Sequence, residues 1–105
     1  MTTLLALDIG GTKVGWGIVE AGDTYEVTQR GSIPTDAMRG GADVAARICD
    51  LASSLVASHP QVSGVAVASA GVVDPSTGDI VSATGTMPGW GGTPLGALLQ
   101  EATGL

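Results

Sequence analysis

The sequence predicts an α/β domain, on three observations. Two apolar runs, Leu4 to Ile9 and Val14 to Val19, flank a glycine corner, and a third strand-like run follows, so the chain opens as an antiparallel meander. An amphipathic helix comes next. A strongly apolar stretch after that helix reads as a strand parallel to the first, reached by a right-handed crossover. The 105 residues fit one small domain, 1–105, able to bury roughly two-thirds of its unfolded surface.

Thr2 to Ile9 is apolar on both faces, as strands covered on two sides are. Lys13 to Glu20 is the second strand, where Gly15 and Gly17 alternate with Trp16 and Ile18; the glycines suit a closely approaching backbone, and Trp16 a packing role. After the Ala21-Gly22-Asp23 turn, Thr24 to Ile33 is the third strand, with Tyr25, Val27 and Gln29 on one face and Glu26, Thr28 and Arg30 on the other. Pro34 to Gly41 is a loop. Ala42 to Ala57 is the clearest helix: Val44, Ile48, Leu51 and Leu55 recur at helical spacing, and Asp43 favours the dipole in the first turn. His59-Pro60 stops it, with His59 expected at a solvated end.

Val62 to Ala70 is the fourth strand, ending at Ser69-Ala-Gly71, and strand ends of open α/β sheets are where ligands bind. Gly71 to Gly78 turns, with Asp74-Pro75 as turn chemistry. Asp79 to Thr84 is a short strand, and Gly85 to Gly92 a long Gly/Pro loop. Thr93 is expected as N-cap and Pro94 as first residue of a final helix. Leu95, Leu98, Leu99 and Ala102 form its apolar face, and Gly104 stops it.

Composition narrows the function. The net charge is −6 with four basic residues, which gives no basic patch for nucleic acid and no support for a membrane surface. The longest apolar stretch is too short to span a bilayer. With no charged segment ahead of the first strand, no signal peptide is expected. The single cysteine, Cys49, cannot form an internal disulfide or a metal site; it fits a reducing cytoplasm and a small apolar role on a helix. The core must be Val, Leu, Ile and Ala, since Phe is absent.

The chemistry gathers at the first corner, Asp8-Ile-Gly-Gly-Thr-Lys13. Gly10 and Gly11 permit positive φ and close approach to the main chain. Exposed amides in such a turn form an anion-binding concavity, which the Thr12 hydroxyl and Lys13 ammonium would complete. The Asp8 carboxylate suits Mg²⁺, which keeps several waters and needs few protein ligands. The same residues also suit a plain hairpin turn capped by Asp8. The pattern is neither a Walker loop nor a dinucleotide-binding fingerprint.

Asp8-Ile-Gly-Gly-Thr-Lys13 resembles the first phosphate motif of the ROK family of sugar kinases and regulators. Val65-Ala-Val-Ala-Ser-Ala-Gly-Val-Val-Asp-Pro75, Gly78 to Ala83, and Met87-Pro-Gly-Trp90 are similar to the segments that follow it there. The resemblance covers essentially the whole chain. It implies the actin-like, ribonuclease H-like ATPase fold, present in part. It implies that Asp8, Gly10, Gly11, Thr12 and Lys13 face ATP phosphates and Mg²⁺, with Asp8 toward the metal. It implies that Ser69, Ala70, Gly71, Gly85, Thr86 and Gly89 approach the sugar. Family members often carry Asn two residues before the loop proline; Thr86 stands there here, so the resemblance does not fix the sugar.

The resemblance also implies parts beyond residue 105: a catalytic Asp in an Asn-Asp pair, a zinc motif, a second phosphate loop and an adenosine pocket. The chain is thus expected to be the N-terminal portion of a kinase lobe, inactive alone, with a sugar and a nucleotide as partners and a homo-oligomer at full length. The phosphoryl donor stays open between ATP and polyphosphate. Two rivals are a sugar-responsive transcriptional regulator of the same family and a non-catalytic module that binds by its open sheet edge.

Overall fold

A computed structural model describes residues 1–105. Three antiparallel strands come first: β1 (Thr2–Ile9), β2 (Lys13–Ala21) and β3 (Tyr25–Pro34). A single 3-10 turn (Ala37–Arg39) leads into α1 (Gly41–Ser58), then β4 (Val62–Ser69), a small hairpin of β5 (Val72–Val73) and β6 (Ile80–Ser82), and α2 (Leu95–Thr103). The main sheet has the order β3-β2-β1-β4, with β4 parallel to β1. The predicted α/β class and the meander-helix-strand order are both present.

One face of this sheet is covered. Leu5, Leu7 and Ile9 of β1 and Val14 and Ile18 of β2 point to the side where α1 and α2 pack, and they share one core with Val44, Ile48, Leu95 and Leu99. The opposite face is open. It presents Ala6, Asp8, Lys13, Gly15, Gly17, Ala66 and Ala68 around a shallow hollow. The expectation that β1 is covered on both faces therefore fails in this chain: Leu4 and Ala6 are only half-buried and Asp8 is exposed.

Several local expectations are corrected. A bulge between Ile18 and Val19 sets Val27 opposite Val19 and Arg30 opposite Gly17, so Val27 and Arg30 share a face and the simple alternation along β3 breaks at Thr28. On α1 the buried stripe is Val44, Ala45, Ile48 and Ala52, while Leu51 and Leu55 are half-buried. The Asp79 to Thr84 strand shrinks to Ile80–Ser82, paired with Val72–Val73. Thr93 is buried and does not cap α2, which starts at Leu95 with Pro94 in the cap position. Its carbonyl instead accepts the Ile80 amide at 2.8 Å.

His59 is not a free solvated end. Its Nδ1 lies 2.8 Å from the Leu55 carbonyl and its Nε2 3.1 Å from the Gln29 side chain, tying the helix end to the edge strand. Trp16 packs as expected: its indole lies across Gly31, where an added Cβ would come within 2.7 Å of the ring. Gly104 ends α2 in a left-handed conformation, its amide on the Gln100 carbonyl at 2.8 Å. Cys49 is half-buried on α1; burial, then the Asp50 and Glu101 carboxylates, push its thiol pKa above the ordinary value, which suits an inert packing residue.

The two rims of the sheet differ. Both are bulged, β3 at Thr28 and β4 at Ser63, but only β3 also carries charge, at Glu26 and Arg30. β4 reads Val62-Ser-Gly-Val-Ala-Val-Ala-Ser69, without a charge, and its only strand partner is β1. No helix is long and apolar enough to cross a membrane.

Candidate functional site: the glycine corner and the adjoining strand tips

Parallel pairing of β1 and β4 sets their ends side by side. Asp8 lies opposite Ala68 and Ile9 opposite Ser69, and the Ala70 amide donates to the Ile9 carbonyl at 2.8 Å. The Gly10-Gly11 corner and the Ser69-Ala70-Gly71 turn thus leave the sheet at one end as neighbours. The Gly/Pro loop reaches the same place: a Cβ on Gly11 would touch the Thr86 side chain at 3.7 Å. Thr86 Oγ1 pairs with Thr84 Oγ1 at 2.7 Å.

The corner orients its polar groups with a clear sense. The Gly10 amide donates to the Lys13 carbonyl at 3.0 Å. The Gly10 carbonyl accepts the Thr35 hydroxyl at 2.7 Å, and the Thr12 carbonyl accepts the Thr35 amide at 3.0 Å. These carbonyls are occupied from within. The Gly11 and Thr12 amides, by contrast, donate to no protein acceptor, and both residues are exposed. Unpaired exposed donors with carbonyls turned away form a surface suited to an anion.

The glycines meet the sequence expectation in part. Neither Gly10 nor Gly11 adopts a positive φ. Close approach matters at Gly10, where an added Cβ would come within 3.3 Å of the Lys13 carbonyl, whereas one on Gly11 would make only an ordinary contact with Thr86 at 3.7 Å.

Charge flanks the donors. Asp8 and Lys13 both border the hollow on the open face of the sheet, and both are exposed. Neither is in an ion pair; the one ion pair of the chain is Arg47 with Asp43 at 2.8 Å. No group of three or more His, Cys, Asp and Glu side chains assembles, so a cation here has the Asp8 carboxylate and no closed protein cage. That donor set fits Mg²⁺, which is held by one or two carboxylates together with phosphate oxygens and water.

The residues expected near a sugar divide into two groups. Ser69, Ala70, Gly71 and Thr86 stand at the strand tips beside the corner. The Ser69 hydroxyl donates to the Ala70 carbonyl at 2.9 Å and accepts the Trp90 indole N–H at 3.1 Å. Gly71 is exposed with φ +91°. Gly85 is open, with nothing within 4 Å of an added Cβ. Gly89 is turned the other way, its carbonyl packed on Gly41 at the start of α1.

Sequence reasoning missed Thr35 and Arg47 and gave Trp90 no role. Thr35 sits in a stretch read as loop, with no periodicity to single it out. Only its complete burial and its bonds to the corner reveal it.

The model of the ROK family matches residues 4–105. An uncharacterized protein of Clostridium perfringens is 32% identical over 102 residues, which is 96% of this chain and 33% of that protein. Among solved structures, the ROK hexokinase of Thermus thermophilus superposes with a TM-score of 0.76 at 27% identity, over 98% of this chain and 33% of that one. The inorganic polyphosphate/ATP-glucomannokinase of Arthrobacter sp. strain KM superposes with a TM-score of 0.71 at 27% identity, over 99% of this chain and 42% of that one. The chain thus spans about a third of the Clostridium and Thermus proteins and somewhat more of the Arthrobacter enzyme.

Proposed function

The chain belongs to the ROK family, and on that premise we propose that it supplies the phosphate-binding corner and part of the sugar wall of an ATP-dependent hexose or N-acetylhexosamine kinase. The observation that carries the reading is the pair of free amides at Gly11 and Thr12, set between the exposed side chains of Asp8 and Lys13.

The roles follow from the donor inventory. The two amides and the Thr12 hydroxyl give hydrogen bonds to phosphate oxygens, and Lys13 adds a mobile point charge. Mg²⁺, when bound, neutralises charge on the phosphates of the donor, and Asp8 is the residue that would hold it, directly or through water. Ser69, Ala70, Gly71, Gly85 and Thr86 line the acceptor side; Gly89 shapes the loop by packing on α1. In-line phosphoryl transfer needs the acceptor hydroxyl and the terminal phosphate to meet in a fixed geometry. The Ala70 amide bond to the Ile9 carbonyl and the nearness of Thr86 to Gly11 support a reading in which the two subsites adjoin. The proton of the sugar hydroxyl requires a general base, and no carboxylate of this chain has a geometry that recommends it. Either ATP or inorganic polyphosphate fits the corner as donor, because the chemistry recognised is a chain of phosphates.

The test is phosphoryl transfer by the protein at its full natural length, with glucose, N-acetylglucosamine or N-acetylmannosamine as acceptor and Mg-ATP or polyphosphate as donor. Sugar phosphate is expected from at least one combination. The 105 residues alone are expected to yield none. A full-length protein that binds neither donor refutes the reading. Sugar binding without any transfer would instead identify a sugar-responsive regulator of the family.

A further inference from the structure

We infer that Thr35 is the positioning residue of the phosphate corner, held in place by Arg47. This rests on the reading of the corner as a phosphate site, and extends it to residues that touch no ligand.

Thr35 is 0% exposed and makes two bonds to the same turn. Its hydroxyl donates to the Gly10 carbonyl at 2.7 Å, and its amide donates to the Thr12 carbonyl at 3.0 Å. These two bonds bracket Gly11 on both sides. The Gly10 carbonyl shares a planar trans peptide with the Gly11 amide, so drawing that carbonyl inward turns the Gly11 amide outward, and the bond to the Thr12 carbonyl pins the far end of the turn. A carbonyl released from Thr35 would be free to face the ligand, where its partial negative charge opposes a phosphate.

Thr35 is itself anchored. Arg47 donates Nη1 to the Pro34 carbonyl at 3.0 Å and Nη2 to the Thr35 carbonyl, while its Nε bonds Asp43 Oδ2 at 2.8 Å. Asp36, next in the chain, has the left-handed values φ 47° and ψ 51°, which bends the backbone as it leaves Thr35. The connection therefore runs from α1 through Arg47 to Thr35 and into the corner. Valine would fill the same space as a packing residue. What threonine adds is a hydroxyl whose single hydrogen is spent on Gly10.

The experiment is calorimetric titration of magnesium tripolyphosphate into the full-length protein and its variants, well below their melting temperatures. Thr35→Val is expected to weaken tripolyphosphate binding about tenfold, since it strands the half-buried Gly10 carbonyl and frees the turn. Thr35→Ser, which keeps the hydroxyl, is expected to stay within about threefold of wild type. A residue that merely stabilised the fold would lower the melting temperature and leave the affinity of the folded protein unchanged. Unchanged affinity in Thr35→Val overturns the inference, as does equal loss in Thr35→Ser. Should Thr35→Val fail to fold, Arg47→Met decides: weaker tripolyphosphate binding supports the inference and unaltered binding overturns it. Wild-type protein that binds no tripolyphosphate defeats the phosphate reading, and this inference with it.

Discussion

The indole of Trp90, itself 0% exposed, donates its N–H to the hydroxyl of Ser69 at 3.1 Å. A residue of the Gly/Pro loop thereby fixes the rotamer of a strand-tip serine twenty-one positions earlier in the chain. Trp90→Phe removes that bond and leaves a small void. It is expected to destabilise the protein by about 1–3 kcal/mol, measured by denaturant unfolding. Ser69→Ala keeps the packing and is expected to cost about 1 kcal/mol or less.

Gly41 and Gly89 form a second joint under the same loop. The Gly89 carbonyl lies so close to Gly41 that any side chain there collides with backbone. Gly41→Ala is expected to cost about 1–3 kcal/mol as the loop is pushed off α1. Gly85→Ala is the matched control: its added methyl meets nothing within 4 Å, and the expected change is within about 0.5 kcal/mol. Equal melting curves for the two variants would contradict the packing described.

Lys13→Met keeps an unbranched stem and removes the ammonium. Donor affinity is expected to fall about tenfold, the worth of one charge-assisted hydrogen bond at about 1.5 kcal/mol. Because Lys13 is exposed, its contribution is screened by salt. The gap between wild type and variant is therefore expected to narrow when titrations are repeated at high ionic strength.

Asp74 makes a compact side-chain turn. Its Oδ1 accepts the Ser76 hydroxyl at 2.7 Å and the Ser76 amide at 2.9 Å, and these bonds, the hydroxyl first, hold its carboxyl below the ordinary pKa. A carboxyl lowered by folding contributes its stabilisation fully above the unfolded value, near about pH 4, and loses it as pH falls through the folded value. Ser76→Ala is expected to return the Asp74 titration toward the ordinary carboxylate range, read by NMR of the carboxyl carbon. An unmoved titration curve would contradict the assignment of cause.

Long periodic signals survived the passage from sequence to structure, and side-chain geometry did not. The apolar runs of β1, β2 and β4 and the helical spacing in α1 marked the elements, although burial follows them only on the face of the sheet that the helices cover. The strand order follows from them with the meander and the crossover. The bulge near Thr28 was invisible because nothing in Val27-Thr-Gln29 distinguishes a two-against-one pairing from simple alternation. Thr93 looked like a cap because its type and the following proline suit one; tertiary contact with Ile80 took its carbonyl instead. At the site, residues that touch the corner's surface were legible as a motif. Thr35 and Arg47 were not, because support from behind leaves no local spacing. Of the two reasons for glycine at the corner, left-handed φ fails and close approach holds at Gly10.

The contrast between the rims of the sheet has a practical corollary. At β3, the kink at Thr28 and the nearby charges discourage a foreign strand from docking. β4 has a bulge of its own at Ser63, near its start, but no charge, and its run of Val, Ala, Ser and Gly is neutral on its far margin. Any association of the polypeptide handled by itself is expected at the uncharged margin of β4. Pairing at that margin would give closed two-molecule species and not fibres, and a lysine introduced at Ala66 or Ala68 is the simplest way to keep concentrated samples monodisperse.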